Sequence, residues 1–371
     1  MGPEHERDLS DIVALQGEVA QSIAGEVRAV LSPQQRARLA GTRTVDPEAY
    51  ELYLQGQSHF NQRTADSIKK SIEYFQRAVE KDPNFAWAYT GLADAYTGSS
   101  VIGPFPPNES FPKAKVAATK ALMLDPLLAE AHAALGMEMS FYEFDWPGAQ
   151  KEFLRAIELN PNSARAHRRY AGYLRNMRRQ PEAIAEMEKA VNLDPLSLEM
   201  NHFLGLFYEV AGDYERALQQ YHRVIEMDAN YGQTRLALAK LLAELGKYEE
   251  SITQFEKGET LLGVDPGKAV RNAAGLRHAL QTSGAKGYWK EYLALELRSV
   301  NEPHQYGFGK IDIAEGYARQ GDKDKAFAWL EKAYQAREGI PLSLINSSRG
   351  LQNLHGDPRY SDLLRRLGLP E

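Results

Sequence analysis

Apolar and polar residues alternate along this chain with the period of a helix, and the same short phrase interrupts the pattern at regular intervals. Amphipathic runs such as AIAEMEKAVNL stop at an acid or amide followed by proline: KDPNF at 81, LDPLL at 124, LNPNS at 159 and LDPLS at 193, with MDANY at 227 and VDPGK at 264 as variants. Pro126, Pro161 and Pro195 lie 35 and 34 residues apart, and Ala229 stands another 34 on. A residue before proline is pushed out of the helical region, so each run must end there. Asn84, Asn162, Ser163, Ser197 and Asn230 follow with side-chain oxygens suited to the free amides of a new helix. A fixed period of this length predicts stacked helical hairpins.

Within each unit a second mark separates the two helices. AGDYERAL at 211, LGKYEESI at 245 and QGDKDKAF at 320 place glycine where a helix needs a left-handed end. Small residues recur where paired helices must approach: Ala93, Gly136, Ala171, Gly205, Ala239 and Ala314 on first helices face Ala114, Ala149, Ala183, Ala217, Ser251 and Ala326 on second ones. Leu92, Leu135, Tyr170, Leu204, Leu238 and Ile313 fill one side between them, and Phe75, Phe153, Met187, Tyr221, Phe255 and Leu330 the other.

Composition narrows the class. The 371 residues exceed one ordinary core, while 25% charged and 43% hydrophobic residues are globular values. No apolar run reaches the roughly 20 residues that span a bilayer, so no membrane insertion is expected. With no cysteine there is no disulfide, thiolate or Cys-type zinc chemistry. A formal charge of -6 gives no general pull toward nucleic acid. Strand-like alternation is missing as well. The expectation is an all-α chain, soluble and cytoplasmic, with display outside the cytoplasm by a membrane-anchored parent as the alternative.

The sequence resembles the tetratricopeptide repeat family, and the unit LGLFYEVAGDYERALQQYHRVIEMDAN at 204–230 is similar to its consensus. The resemblance covers most of residues 46–336, in about eight hairpins. It implies a right-handed α-solenoid whose first helices line a concave groove holding a partner protein or peptide. The copies are unequal. One spans 46–82; the next, 86–125, carries the insertion TGSSVIGPFPPNESF; those starting at 129, 164 and 198 are regular. The unit 232–263 carries Gly258 and Gly263, 267–299 matches in outline with SGAKG as its turn, and 306–336 is a good copy. Degeneracy over 258–305 marks where the array is expected to bend or flex.

Both ends depart from the repeat. In residues 1–45, the stretch 8–31 sets Ile12, Leu15, Val19, Ile23, Val27 and Val30 on one stripe, a helix needing a partner, with Ser32 and Pro33 opening the next. In residues 337–371, a short helix over about 357–367 is expected to cap the last hairpin. ERDLSDIVALQGEVAQSIAGEVRAVLSPQQRARL and DPRYSDLLRRLGLP resemble the carboxy-terminal half of bacterial multidomain regulators, in which the repeats follow a TolB-like domain, with a winged-helix, cyclase or kinase domain further upstream. That resemblance implies a regulatory half separated from its effector.

The sharpest charge feature is SARAHRRYAGYLRNMRRQ at 163–180, where Arg165, Arg168 and Arg175 share a helix face. By the family's geometry this face opens on the groove, a seat for an acidic segment, with Asn176, Glu130, His202 and Glu209 completing the candidate set. The plainer reading is a solvated stripe balanced by Glu130, Glu199 and Glu209. Some family members clamp a terminal carboxylate with lysine and asparagine. The matching places here carry Ala133, Met137 and His167, or Arg168, Gly172 and His202, so that clamp is incomplete. Phe105 and Phe111 lie in the proline-rich insertion, which either packs over its own hairpin or docks a partner. His132 and His167 read as helix-packing residues and Trp146 and Trp329 as core. No HExxH, GxSxG, phosphate loop, Rossmann or kinase motif is present, and Glu249 and Glu250 lie on exposed faces, so neither catalysis nor a cofactor or metal is expected. The expected function is protein binding. The alternative is self-association through 8–31 or end-to-end stacking, which would make the chain a homo-oligomer and set the spacing of a fused effector.

Overall fold

The computed structural model describes residues 45–102, 105–300 and 309–371. The helix expected over 8–31, with Ser32 and Pro33, lies outside the described residues. Those described form eight helix pairs: α1 (Pro47–Gln62) and α2 (Ala65–Lys81), α3 (Ala86–Ile102) and α4 (Pro107–Leu124), α5 (Ala129–Glu138) and α6 (Trp146–Leu159), α7 (Ala164–Asn176) and α8 (Gln180–Leu193), α9 (Leu198–Val210) and α10 (Tyr214–Met227), α11 (Gly232–Glu244) and α12 (Tyr248–Leu261), the two arms of α13 (Pro266–Ser299), and α14 (Lys310–Arg319) with α15 (Lys323–Gln335). The turn Gly339–Leu342 (α16), 3-10 turns and α17 (Pro358–Leu367) follow. The architecture is the expected all-α solenoid.

Four of the phrases work as side-chain turns, through a different atom than expected. The side chain before the proline site accepts from the amide two residues on: Asp82 from Asn84 at 3.0 Å, Asp125 from Leu127 at 3.0 Å, Asn160 from Asn162 at 3.2 Å and Asp228 from Asn230 at 2.8 Å. Asn84, Asn162 and Asn230 thus contribute their backbone N–H to these turns, while Ser163 and Ser197 do cap, accepting from Ala166 and Met200. The carbonyl at the phrase also ties to the next helix. His132 Nε2 lies 3.0 Å from Pro126 O, His167 Nε2 2.9 Å from Pro161 O, and Asn201 Nδ2 3.0 Å from Pro195 O; Arg235 Nη2 lies 2.8 Å from Ala229 O. The same four side chains reach Glu152, Glu186, Gln220 and Gln254 on their paired helices. The histidines are packing residues as expected, and a carboxylate sits beside each. The paired helix supplies it.

At the inner turns Gly212, Gly246 and Gly321 take φ of 81°, 78° and 81°, and Arg178 takes the same left-handed place with φ 59°. The N–H that follows then bonds back across the helix end, Asp213 to Tyr208 O and Arg179 to Leu174 O, both at 2.9 Å. In α13 the kink falls at Gly284, within the expected SGAKG turn.

Within pairs, an aromatic ring on the second helix fills the space left by a glycine on the first. A Cβ at Gly136 would stand 2.8 Å from the Phe153 ring, and one at Gly205 2.5 Å from Tyr221; Phe75 is wedged against both Gly56 and Gly91. Ala171, Ala183 and Ala217 are fully buried at the corresponding approaches. The insertion of the second hairpin lengthens α3 and delays α4. Phe111, inside α4, is 1% exposed and stacks on Tyr142 at 5.5 Å, so it is core and unavailable for docking. Phe105 is half-buried beneath Lys113, 4.8 Å from its ring. Trp146 is core as expected, whereas Trp329 is half-buried under Lys332.

The tail does more than cap the last hairpin. α17 holds α15 through Arg366–Glu331 at 2.7 Å and Arg359–Asp324 at 2.8 Å. It also returns to the third hairpin. Trp146 Nε1 donates to Leu367 O at 2.7 Å, Phe144 stacks on Tyr334 at 6.2 Å, and Gly339 lies directly against the Phe141 backbone. The landing site is a π-helical turn, Met139–Glu143, ending at Phe144 with φ 59°. The array therefore curls until its end meets its middle, with one apolar core running from Phe111 to Leu369.

Replacing Gly205 with leucine is expected to lower stability by about 1–3 kcal/mol, because overpacked side chains must leave their rotamers. An unchanged denaturation curve would mean that the Gly205–Tyr221 approach is not made. A second expectation concerns Glu138, 1% exposed at the start of the π turn, whose carboxyl burial pushes up to about 7, with Glu143 adding to it and Lys115 opposing. A folded pKa above the unfolded value means that the folded state binds the extra proton, so stability falls as pH rises from about 4.5 to about 7. Glu138→Gln should remove this decline and stabilise the chain at pH 8 by on the order of 2 kcal/mol. Parallel pH profiles in urea would contradict it.

Candidate functional site

The curl surrounds a partly open cavity of about 710 Å3 whose lining runs from Phe60 on α1 to Gly350 in the tail. First helices supply most of its wall, because the second helices of each pair stand behind them. On one side α7 and α9 present cations over aromatic rings. The Arg168 guanidinium lies 4.8 Å from the centre of the Phe203 ring and Arg175 5.1 Å from that of Phe207, each pair reflecting i,i+7 on α7 and i,i+4 on α9.

Two carboxylates answer this wall. Asp94, the lone charge in α3, takes Arg165 at 2.8 Å and Arg169 at 2.5 Å. Glu199 takes Arg63 at 2.9 Å and lies 3.9 Å from Arg168. Burial alone would raise the Glu199 carboxyl, but Arg168, Arg63, Arg165 and Arg169 hold it down at about 2. Arg175 has no carboxylate within ion-pair distance among the described residues. Burial, with Arg168 adding repulsion, brings it down to about 10, still charged at neutral pH. His202 is neutral there, since burial and Arg63 lower it to about 4, and its Nδ1 meets Thr234 Oγ1 at 2.9 Å.

The other side is acidic. Lys240 bridges Asp312 at 2.8 Å and Glu315 at 3.0 Å, and these carboxylates outweigh burial to raise its pKa. Arg319 pairs with Glu244. Burial raises Glu296 to about 8, with Asp312 adding to it, and Glu209 to about 7, although Tyr221 Oη donates to Glu209 Oε2 at 2.8 Å. The cavity thus has a cationic wall and a partly protonated acidic wall.

Of the residues singled out in the sequence, Arg168, Arg175, His202 and Glu209 line this cavity. Arg165 is drawn aside by Asp94 and stacks near Phe60, Asn176 is 2% exposed, and Glu130 is half-buried outside the lining. The arginine stripe is not a solvated one: Arg168 has 16% of its side chain exposed and Arg169 5%. Helical-face reasoning missed Arg169, Asp94 and Lys240. For Asp94 the legible signal was a single charge within an otherwise apolar or small helix, as in GLADAY. No described helix is long and apolar enough to cross a membrane.

Two tetratricopeptide repeat family models match residues 144–197 and 211–259. Among curated relatives, Hsp70-Hsp90 organizing protein 1 of Glycine max is 26% identical over 135 residues, 36% of this chain and 23% of that protein. Transcriptional regulator HilA of Salmonella typhimurium is 28% identical over 144 residues, 39% of this chain and 26% of that protein. The chain spans about a quarter of the length of these relatives. The solved structure of yeast Tom70 covers 88% of this chain and 69% of its own, with a TM-score of 0.49 and 16% identity. The matches cover most of α6–α8 and α10–α12, and the first helix pair of the chain carries the same ring-on-glycine contact, Phe75 on Gly56. Over the matched residues the chain is built of tetratricopeptide repeats.

Proposed function

We propose that this chain is a non-catalytic scaffold that seats an acidic segment of a partner protein in its concave trough, as the regulatory half of a bacterial signalling or transcription regulator. Repeats of this family imply protein–protein interaction. The finer reading rests on one observation: the first helices place Arg168 and Arg175 on the trough wall with fewer carboxylates than guanidiniums around them. Such a wall attracts an acidic segment before contact and fixes its register after contact. Phe203 and Phe207 add apolar surface beside the charges. His202 and Glu209 border the same space, and Glu209 is largely protonated below about pH 7, which removes one source of repulsion. The regulatory setting draws support from the resemblance of the chain's ends to multidomain regulators and from the likeness to a protein named as a transcriptional regulator.

Affinity capture from a bacterial lysate, followed by peptide arrays of the captured protein, tests the reading. Arg168→Glu with Arg175→Glu is expected to weaken capture of an acidic segment by about tenfold or more, because each loses a charged hydrogen bond and gains repulsion. Binding equal to wild type, in a double variant with wild-type circular dichroism, would remove the trough from the account.

A further inference from the structure

The arginines of α7 carry more hydrogen-bond donors than the chain engages. Arg169 is 6% exposed; its Nη2 meets Asp94, while its Nε and Nη1 have no hydrogen-bond partner among the described residues. The Nε of Arg168 is buried in the same state. Arg175 meets only the neutral Asn176 Oδ1, at 3.2 Å through Nη2, among its described polar contacts. Three guanidiniums of this helix thus share two carboxylates, one of which also serves Arg63, and the fourth, Arg175, has none within ion-pair distance among the described residues.

Buried guanidiniums cannot shed their protons at neutral pH, and unpaired buried donors are costly, so the wall is complete only with a further acceptor. Its geometry selects the acceptor. Phe203 and Phe207 lie 4.8 and 5.1 Å from the Arg168 and Arg175 guanidiniums, and the N–H groups not already turned to Glu199 and Asn176 match the paired oxygens of a carboxylate or phosphate. His202 is neutral and cannot contribute an anion or accept much of its charge. Because Arg169 is almost fully covered, only a compact group can reach it.

We propose that Arg168, Arg169 and Arg175 form a binding site for a small soluble oxyanion, the phosphate or carboxylate group of a low-molecular-weight ligand. The cavity volume of about 710 Å3 falls within the roughly 300–1,000 Å3 of small-molecule sites. Arg168 and Arg175 serve both this site and the partner seat proposed above, whereas Arg169 serves this one alone.

Thermal melts of the whole chain with potassium phosphate, and separately with succinate, against potassium chloride at matched ionic strength test the site. A saturable rise in Tm is expected with at least one of the two. Phosphate alone would assign a phosphoryl ligand and succinate alone a carboxylate ligand. Arg175→Met removes a cation that has no ion partner, so the variant is expected to fold, and to bind about tenfold or more weakly. Arg169→Gln leaves Asp94 with Arg165 and should lose the response while keeping partner capture. Comparing variants with wild type separates binding from the general stabilisation that phosphate gives any protein. If neither anion raises the wild-type Tm saturably beyond chloride, or if both variants respond as wild type does, the site does not exist. Loss of partner capture with the anion response intact would overturn the partner seat alone.

Discussion

How closely the two helices of each pair approach decides the curvature of everything built on them. At Phe75, Phe153 and Tyr221 the second helix carries a ring and the first helix glycine, and the ring fills the place of the missing side chain. In the α7–α8 pair, where Met187 stands in place of the ring, the first helix carries Ala171 instead. Repeating this contact at a nearly constant spacing gives each pair the same turn relative to the last, and a solenoid follows because no pair can bury its apolar face alone.

Curvature then determines the electrostatics. Side chains that would be solvated on a flat array converge on the inside of a curled one, so Arg168, Glu199, Lys240 and Asp312 line a shared, partly buried space. There an ion pair between distant repeats replaces hydration, and any charge left over becomes costly. The return of the tail to Trp146 fixes that space at a particular size. Without the landing of Leu367 and Gly368 on the third hairpin, the same residues would line an open trough.

Much of this was legible in the chain. Helix boundaries, inner turns and small-residue contacts follow from proline, glycine and alanine, whose effects are local and steric. Arg168 and Arg175 were found because seven-residue spacing on a helix is local too. Three things were not. Asp94 pairing with Arg165 and Arg169 joins residues more than 70 apart, and depends on the tilt of stacked helices. The burial of Phe111 depends on α3 and α4 extending into what reads as a proline loop. The closure at Trp146 joins residues 221 apart, and its cause is the accumulated curl of six hairpins, which no single motif encodes.

The closure carries the account, because cavity, charge burial and the proposed sites all presuppose it. The chain has no cysteine, so spin labels can be placed at Lys151→Cys on α6 and Arg365→Cys on α17, both exposed positions, without side reactions. Pulsed electron paramagnetic resonance on this pair should give one short, narrow distance distribution, as expected for two helices joined through Trp146 and Leu367. A broad distribution centred at long distance would show an open solenoid, and the cavity would not form.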